Sequence, residues 1–160
     1  MIVPAPVDLV LGLLAPVDIL LDVPADRKRS AFDSIAGLLA ERVGATRGAV
    51  LRALKWRERL GPTHVGDGIA VPHARLDGIS NPAVALLRLT QPLPYGTTDD
   101  AAVDLLVGVL WPDSDAAGFI PALATITRLL PSRGLACGLR QARSVAEVRA
   151  VIAATGEPMQ

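Results

Sequence analysis

The chain has 160 residues, of which 51% are hydrophobic and only 3% aromatic, and its 16 basic and 16 acidic residues give a formal net charge of zero. That length fits one domain, residues 1–160, with a core of Leu, Val, Ile and Ala. The balanced charge argues against a broad nucleic-acid surface, which must neutralise several phosphates at once, and leaves room only for a small basic pocket. A single cysteine, Cys137, excludes an internal disulfide and a four-thiolate zinc site.

Residues 1–25 form a lead-in segment. It is apolar, but it has no basic leader, and Pro4, Pro6, Asp8 and Pro16 interrupt it, so it does not read as a secretion signal. No uninterrupted apolar run reaches the ~20 residues of a membrane span, so a soluble cytoplasmic protein without direct membrane insertion is expected. A short helix is predicted near Val17–Leu21. Beyond Pro24, Phe32, Ile35, Ala36, Leu39 and Val43 fall on one helical face, with Asp26 as N-cap. A second helix is predicted from Thr46, buried through Val50, Leu51 and Leu54. It stops at Leu60-Gly61-Pro62 with Gly61 at C′, which puts Arg57 and Arg59 in its last turn.

The glycine-rich stretch that follows predicts a loop and a short strand, Ile69–Val71. A strand is predicted within Ala83–Thr90, bracketed by Pro82 and Pro92. Ala102–Leu110, a nearly unbroken apolar run, suits a strand buried on both faces. Helical spacing returns with Phe119, Leu123, Ile126 and Leu130, with Pro121 placed in the first turn and Pro131 ending the helix. A short helix is predicted within Gly134–Ala142, and a last one from Ser144, where SVAE is a capping box and Val148, Val151 and Ile152 face the core. The order is helices, strands, helices. It predicts an α/β fold of mixed, α+β-like character, with a single mixed β-sheet flanked by helices.

His73, one of two histidines, follows the run GDGIAVP. A histidine behind a short strand is as often a structural residue, hydrogen-bonded at a sheet edge, as a reactive one. Three features favour chemistry. Pro72 stiffens the backbone ahead of the ring and biases Val71 towards extended geometry. Ala74 leaves room for a close approach. Arg57 and Arg75 carry guanidinium forks of the kind that match phosphate oxygens. With an ordinary pKa of ~6.5, the ring is largely neutral at cellular pH and able to attack and carry a phosphoryl group.

The run RERLGPTHVGDGIAVPHARL, Arg57 to Leu76, closely resembles the active-site segment of enzyme IIA proteins of the phosphoenolpyruvate-dependent phosphotransferase system, of the fructose/mannitol/nitrogen-regulatory class. The blocks NPAVALLRLTQPLPYG, VDLLVGVLWP and APVDILLDVPADRKRSAFDSIAGLLAERV are also similar, so the resemblance covers nearly the whole chain. It implies a mixed sheet flanked by helices and a phosphoryl relay without a cofactor. His73 would be nucleophile and carrier through Nε2, Arg57 would bind phosphate, and Arg75 would support it. The partners implied are the histidine-containing phosphocarrier protein as donor and, downstream, either a regulated target protein or an enzyme IIB. With no IIB domain or membrane segment attached, a nitrogen-type regulatory role is the expectation. The family's second histidine, at the start of a helix close to the phosphate, corresponds here to Phe119. The aligned position of His64 is one where a small residue is usual.

Other readings fail on spacing. GDGIAV lacks the third small residue of a dinucleotide loop and follows a predicted helix, and there is no G-x-S-x-G elbow. His64, Asp67 and His73 match no metal-ligand spacing, so no metal is expected and Asp67 reads as a solvated loop residue. Cys137 is expected to be a small buried hydrophobe, and Trp56 and Trp111 to shield core edges.

Overall fold

In the computed structural model, which describes residues 6–96, 101–132 and 134–155, the chain runs α1 (Pro6–Leu13), a 3₁₀ turn (Pro16–Asp18), β1 (Ile19–Val23), α2 (Lys28–Val43), α3 (Arg47–Arg59) and β2 (His64–Gly66). It continues through β3 (Ile69–Ala70), β4 (His73–Leu76), β5 (Ala83–Pro94), β6 (Ala102–Pro112), α4 (Ala116–Leu129), α5 (Leu135–Gln141) and α6 (Val145–Ala154). The strands form one six-stranded mixed sheet in the order β1-β5-β6-β3-β2, with β4 also paired to β6. The predicted fold class is therefore the observed one.

The β6 strand organises the molecule. It pairs antiparallel with β5 on one side and parallel with β3 and β4 on the other. Its apolar run is buried on both faces, as the unbroken sequence pattern requires. Leu105, Val107, Val109 and Trp111 face the layer containing α1, α4, α5 and α6, while Leu106 and Leu110 face α2 and α3. Between them, Gly108 lets α2 approach closely: a Cβ there would lie 2.3 Å from Cγ2 of Ile35.

β3 and β4 are two pieces of one line. Ala70 pairs with Leu106 and His73 with Val109, so the register along β6 is unchanged across Val71 and Pro72. Pro72 has no N–H for the ladder, but its carbonyl accepts from Val109 N at 2.9 Å, and Val71 N turns aside to donate to the Thr63 carbonyl at 2.9 Å. The predicted strand Ile69–Val71 thus continues past the proline and carries His73 into the sheet.

Several local expectations are corrected. The segment Val17–Leu21 is not a helix. Its first residues close a 3₁₀ turn, and Ile19–Val23 forms an edge strand parallel to β5. Asp18, which ends that turn, is buried and accepts from Arg42 Nε at 2.8 Å. The N-cap of α2 is Arg27, not Asp26, whose carboxylate instead accepts from Ser30 Oγ at 3.4 Å. Gly61 is not among the glycines with positive φ, so α3 ends without a left-handed cap. Pro121 lies inside α4, beyond the first turn, because the helix begins earlier, with the Asp115 side chain accepting from Gly118 N. β5 runs through Pro92, which the sheet tolerates where the β5–β6 register shifts between Arg88 and Leu93.

The remaining caps follow the sequence. Thr46 caps α3 by accepting from Ala49 N at 3.2 Å. Ser144 caps α6 by accepting from Glu147 N at 3.1 Å.

Candidate active site

Where β4 begins, the C-terminal turn of α3 and the first turns of α4 converge on His73. They enclose a cleft of about 460 Å³, lined among others by Trp56, Arg57, His73, Arg75 and Phe119. The half-buried His73 ring is reachable from this cleft.

Both ring nitrogens have partners, and the partners dictate the tautomer. Nδ1 lies 2.8 Å from the carbonyl of Val71, which can only accept, so Nδ1 carries the hydrogen. Arg57 Nε donates to Nε2 at 3.1 Å, so Nε2 holds the lone pair. A second N–H of Arg57, on Nη1, donates to the Gly61 carbonyl at 3.0 Å, which anchors the guanidinium to the turn after α3. Burial lowers the pKa of His73 below its ordinary 6.5, and the neighbouring Arg57 cation lowers it further. The hydrogen bond to Val71 and the nearby Glu58 carboxylate pull the other way. The net result is a neutral imidazole with its nucleophilic nitrogen turned to the cationic side of the cleft.

Arg75, two residues along β4, is at the outer rim. Its Nε is 3.6 Å from Asp113 Oδ1, and both side chains are about half exposed. The structure therefore brings Arg57 onto His73 and leaves Arg75 at the edge of the same cleft. Phe119 stands where the resemblance placed it, beside the histidine, with ring centroids 6.0 Å apart. It is itself held by Trp111, at 6.2 Å, whose indole N–H donates to Asp115 Oδ2 at 2.9 Å. His64, on β2, pairs with Ala70 of β3 and does not line the cleft.

Two expectations are corrected here. Trp56 does not shield a core edge: it is 66% exposed on the rim of the cleft, beside Leu60 and near Ile120 of α4. It lies off the Val50–Leu54 stripe of α3, and that phase is the signal by which its exposure was readable. Cys137 is exposed rather than buried, although α5 seats Leu135, Ala136 and Leu139 in the core. Trp111, expected at a core edge, is buried within the core cluster. Asp67 is exposed in the β2–β3 turn, where its backbone carbonyl accepts from Arg140. Among the described residues no three potential ligands cluster to hold a metal, and no helix is long and apolar enough to cross a membrane.

Comparisons with known proteins identify the family and the fold. The family model described as "Phosphoenolpyruvate-dependent sugar phosphotransferase system, EIIA 2" matches residues 12–155. A nitrogen regulatory protein of Bradyrhizobium diazoefficiens is 35% identical over 88% of this chain and 92% of its own. A fructose-specific EIIA component of the phosphotransferase system from Haloferax volcanii is 30% identical over 89% of this chain and 94% of its own. Among solved structures, the nitrogen regulatory protein IIA-Ntr of Neisseria meningitidis superposes with a TM-score of 0.84 at 26% identity, covering 90% of this chain and 99% of that one. With its fold and nearly its whole length matched, this chain belongs to the EIIA 2 family of the phosphoenolpyruvate-dependent sugar phosphotransferase system.

Proposed function

We propose that the protein is a cytoplasmic phosphohistidine relay of the nitrogen-regulatory type, loaded by the histidine-containing phosphocarrier protein. The lone pair of His73 Nε2 attacks the phosphorus of the donor's phosphohistidine. The donor N–P bond breaks, its electron pair returns to the donor imidazole, and a new P–Nε2 bond forms. No proton has to move, because Nδ1–H stays on Val71 O and its hydrogen bond strengthens as the ring gains positive charge.

Arg57 has two roles in this reading. At rest its Nε–H holds the ring in place. As the phosphoryl group arrives, the guanidinium exchanges Nε2 for phosphoryl oxygens and stabilises their charge. Arg75 adds positive potential at the rim. The phosphoryl group brings about two negative charges to one surface cleft, partly offset by the positive charge on the ring, and the changed site lets a regulated target protein distinguish the two states.

The observation that carries the proposal is the pair of contacts that leaves Nε2 unprotonated beside a guanidinium. Incubation with phosphoenolpyruvate, enzyme I and the phosphocarrier, followed by mass and acid-lability analysis, tests it. One acid-labile phosphoryl group, absent in His73→Ala, is expected. Equal labelling of that variant would refute it.

The fructose-specific relative supports a second reading, a transport IIA that hands the group to an enzyme IIB. A sugar-specific IIB dephosphorylating the loaded protein would favour it, and inertness towards IIB domains would favour regulation. A third reading, a binding protein with reduced transfer, rests on Phe119 in place of a second histidine. A single-turnover rate far below that of a relative carrying both histidines would support it.

A further inference from the structure

We propose that Glu58 is a positioning residue for phosphoryl transfer at His73, acting through a partly buried network with Lys28, Thr63 and Tyr95. The proposal rests on the phosphohistidine reading above and deepens it.

The carboxylate of Glu58 collects three donors. Oε1 accepts from Lys28 Nζ at 2.8 Å and from Thr63 N at 3.0 Å, and Oε2 accepts from Thr63 Oγ1 at 2.6 Å. A carboxylate can only accept, so the single hydroxyl hydrogen of Thr63 is committed to Glu58. Tyr95 must then be the donor across its 2.9 Å contact with Thr63 Oγ1. Lys28 Nζ also donates to the Tyr95 carbonyl at 3.1 Å and sits 3.9 Å from that ring's centroid. Thr63 and Tyr95 are buried, and burial holds the Tyr95 phenol far above its ordinary pKa, so it remains a donor. One carboxylate thus ties the start of α2, the end of α3, the approach to β2 and the end of β5.

Two routes lead from this knot to the imidazole. Thr63, held at both its N–H and its hydroxyl, offers its carbonyl to Val71 N, and the Val71 carbonyl takes the Nδ1–H of His73. The same clamp closes the turn between Glu58 and Thr63, and within that turn the Gly61 carbonyl anchors Arg57. Glu58 therefore fixes the partner of each ring nitrogen, one directly along the backbone and one through the turn. Its charge also opposes the effect of burial on His73. The Lys28–Glu58 pair is partly exposed, with side chains 29% and 9% accessible, and such a pair contributes little to stability on its own. Its placement between the two anchors of the imidazole is what calls for it.

The test uses the full chain with Thr63→Val, Thr63→Ser, Glu58→Gln and Tyr95→Phe. Single-turnover transfer from the phosphocarrier is measured alongside the ¹⁵N resonances of His73. Thr63→Val is expected to slow transfer about tenfold, with KM for the carrier unchanged, and to weaken the Nδ1–H tautomer, while Thr63→Ser stays within about twofold. Glu58→Gln is expected to move the His73 titration to lower pH. Should Thr63→Val fail to fold, Tyr95→Phe removes one hydroxyl and is expected to slow transfer about threefold with the same spectral change.

Variants that lose thermal stability but keep the wild-type rate and His73 resonances would overturn the proposal. Loading by phosphoramidate, a small donor that needs no docking, separates the two failures. A wild-type protein loaded by neither donor refutes the phosphohistidine reading, and the His73 resonances still decide whether Glu58 positions the ring.

Discussion

On the α3 side of the cleft His73 meets a guanidinium held by a backbone carbonyl and, behind it, a carboxylate that fixes the turn. On the α4 side it meets the ring of Phe119, packed on Trp111. Both walls are well ordered by their neighbours, yet only one offers hydrogen bonds and charge. The α3 wall leaves Nε2 unprotonated and places a guanidinium beside it. The α4 wall lends shape and desolvation, which favour the neutral ring. In the proposed relay, transfer therefore leans on one side of the site.

The contrast can be broken most severely at the ring. His73→Ala is expected to abolish phosphoryl uptake, measured as acid-labile label, with the fold intact by circular dichroism. Next comes the polar wall: Arg57→Ala is expected to slow single-turnover transfer by about 10²-fold, because a preorganised donor to the developing charge is lost. Arg57→Lys should recover only part of that loss, since a point charge cannot hold both Gly61 and the phosphoryl oxygens. An unchanged rate in Arg57→Ala would remove the polar wall from the mechanism.

The apolar wall is tested by making it polar. Phe119→His is expected to raise the transfer rate about three- to tenfold by adding a donor beside the phosphoryl group. It should also cost about 1–3 kcal/mol of stability, because a polar ring enters a buried site against Trp111. A flat or lower rate would show that the second histidine is not what limits this chain.

A smaller effect is expected from pH. Attack requires the neutral ring, and the folded pKa of His73 is lowered. The uptake rate should therefore rise with pH through a midpoint below 6.5 and be flat above it. A midpoint above 6.5 would mean that the Val71 hydrogen bond and the Glu58 carboxylate together outweigh burial and Arg57. Smallest of all, Arg75→Ala is expected to change transfer less than about threefold, because its solvated pair with Asp113 keeps it at the rim. Its effect should fade with added salt.

How far the sequence foretold this site depends on how local each feature is. The helices α2, α3, α4 and α6 were readable because their core stripes repeat within a turn or two. The juxtaposition of Arg57 and His73 came from the family resemblance, since nothing local reveals that a helix end and a strand start sixteen positions apart will meet. β4 escaped notice because His73–Leu76 is a four-residue strand that exists only by pairing with β6, more than thirty residues on. The edge strand β1 reads as a helix in the sequence because a short apolar run carries no decisive period. Pro121 reads as a first-turn residue because the Asp115 cap, which starts the helix earlier, carries no apolar signal. The knot of Lys28, Glu58, Thr63 and Tyr95 was out of reach, because its members are scattered along the chain and each looks like an ordinary surface residue on its own.

The most direct test of the central claim is ¹⁵N and ³¹P NMR of histidine-labelled protein before and after loading by the phosphocarrier. Before loading, His73 is expected to show a protonated Nδ1 and an unprotonated Nε2 at neutral pH. Afterwards, phosphorus coupling is expected at Nε2 with Nδ1–H retained. Coupling at Nδ1, or phosphate found on any other residue, would contradict the assignment of the acceptor atom and of the contacts that prepare it.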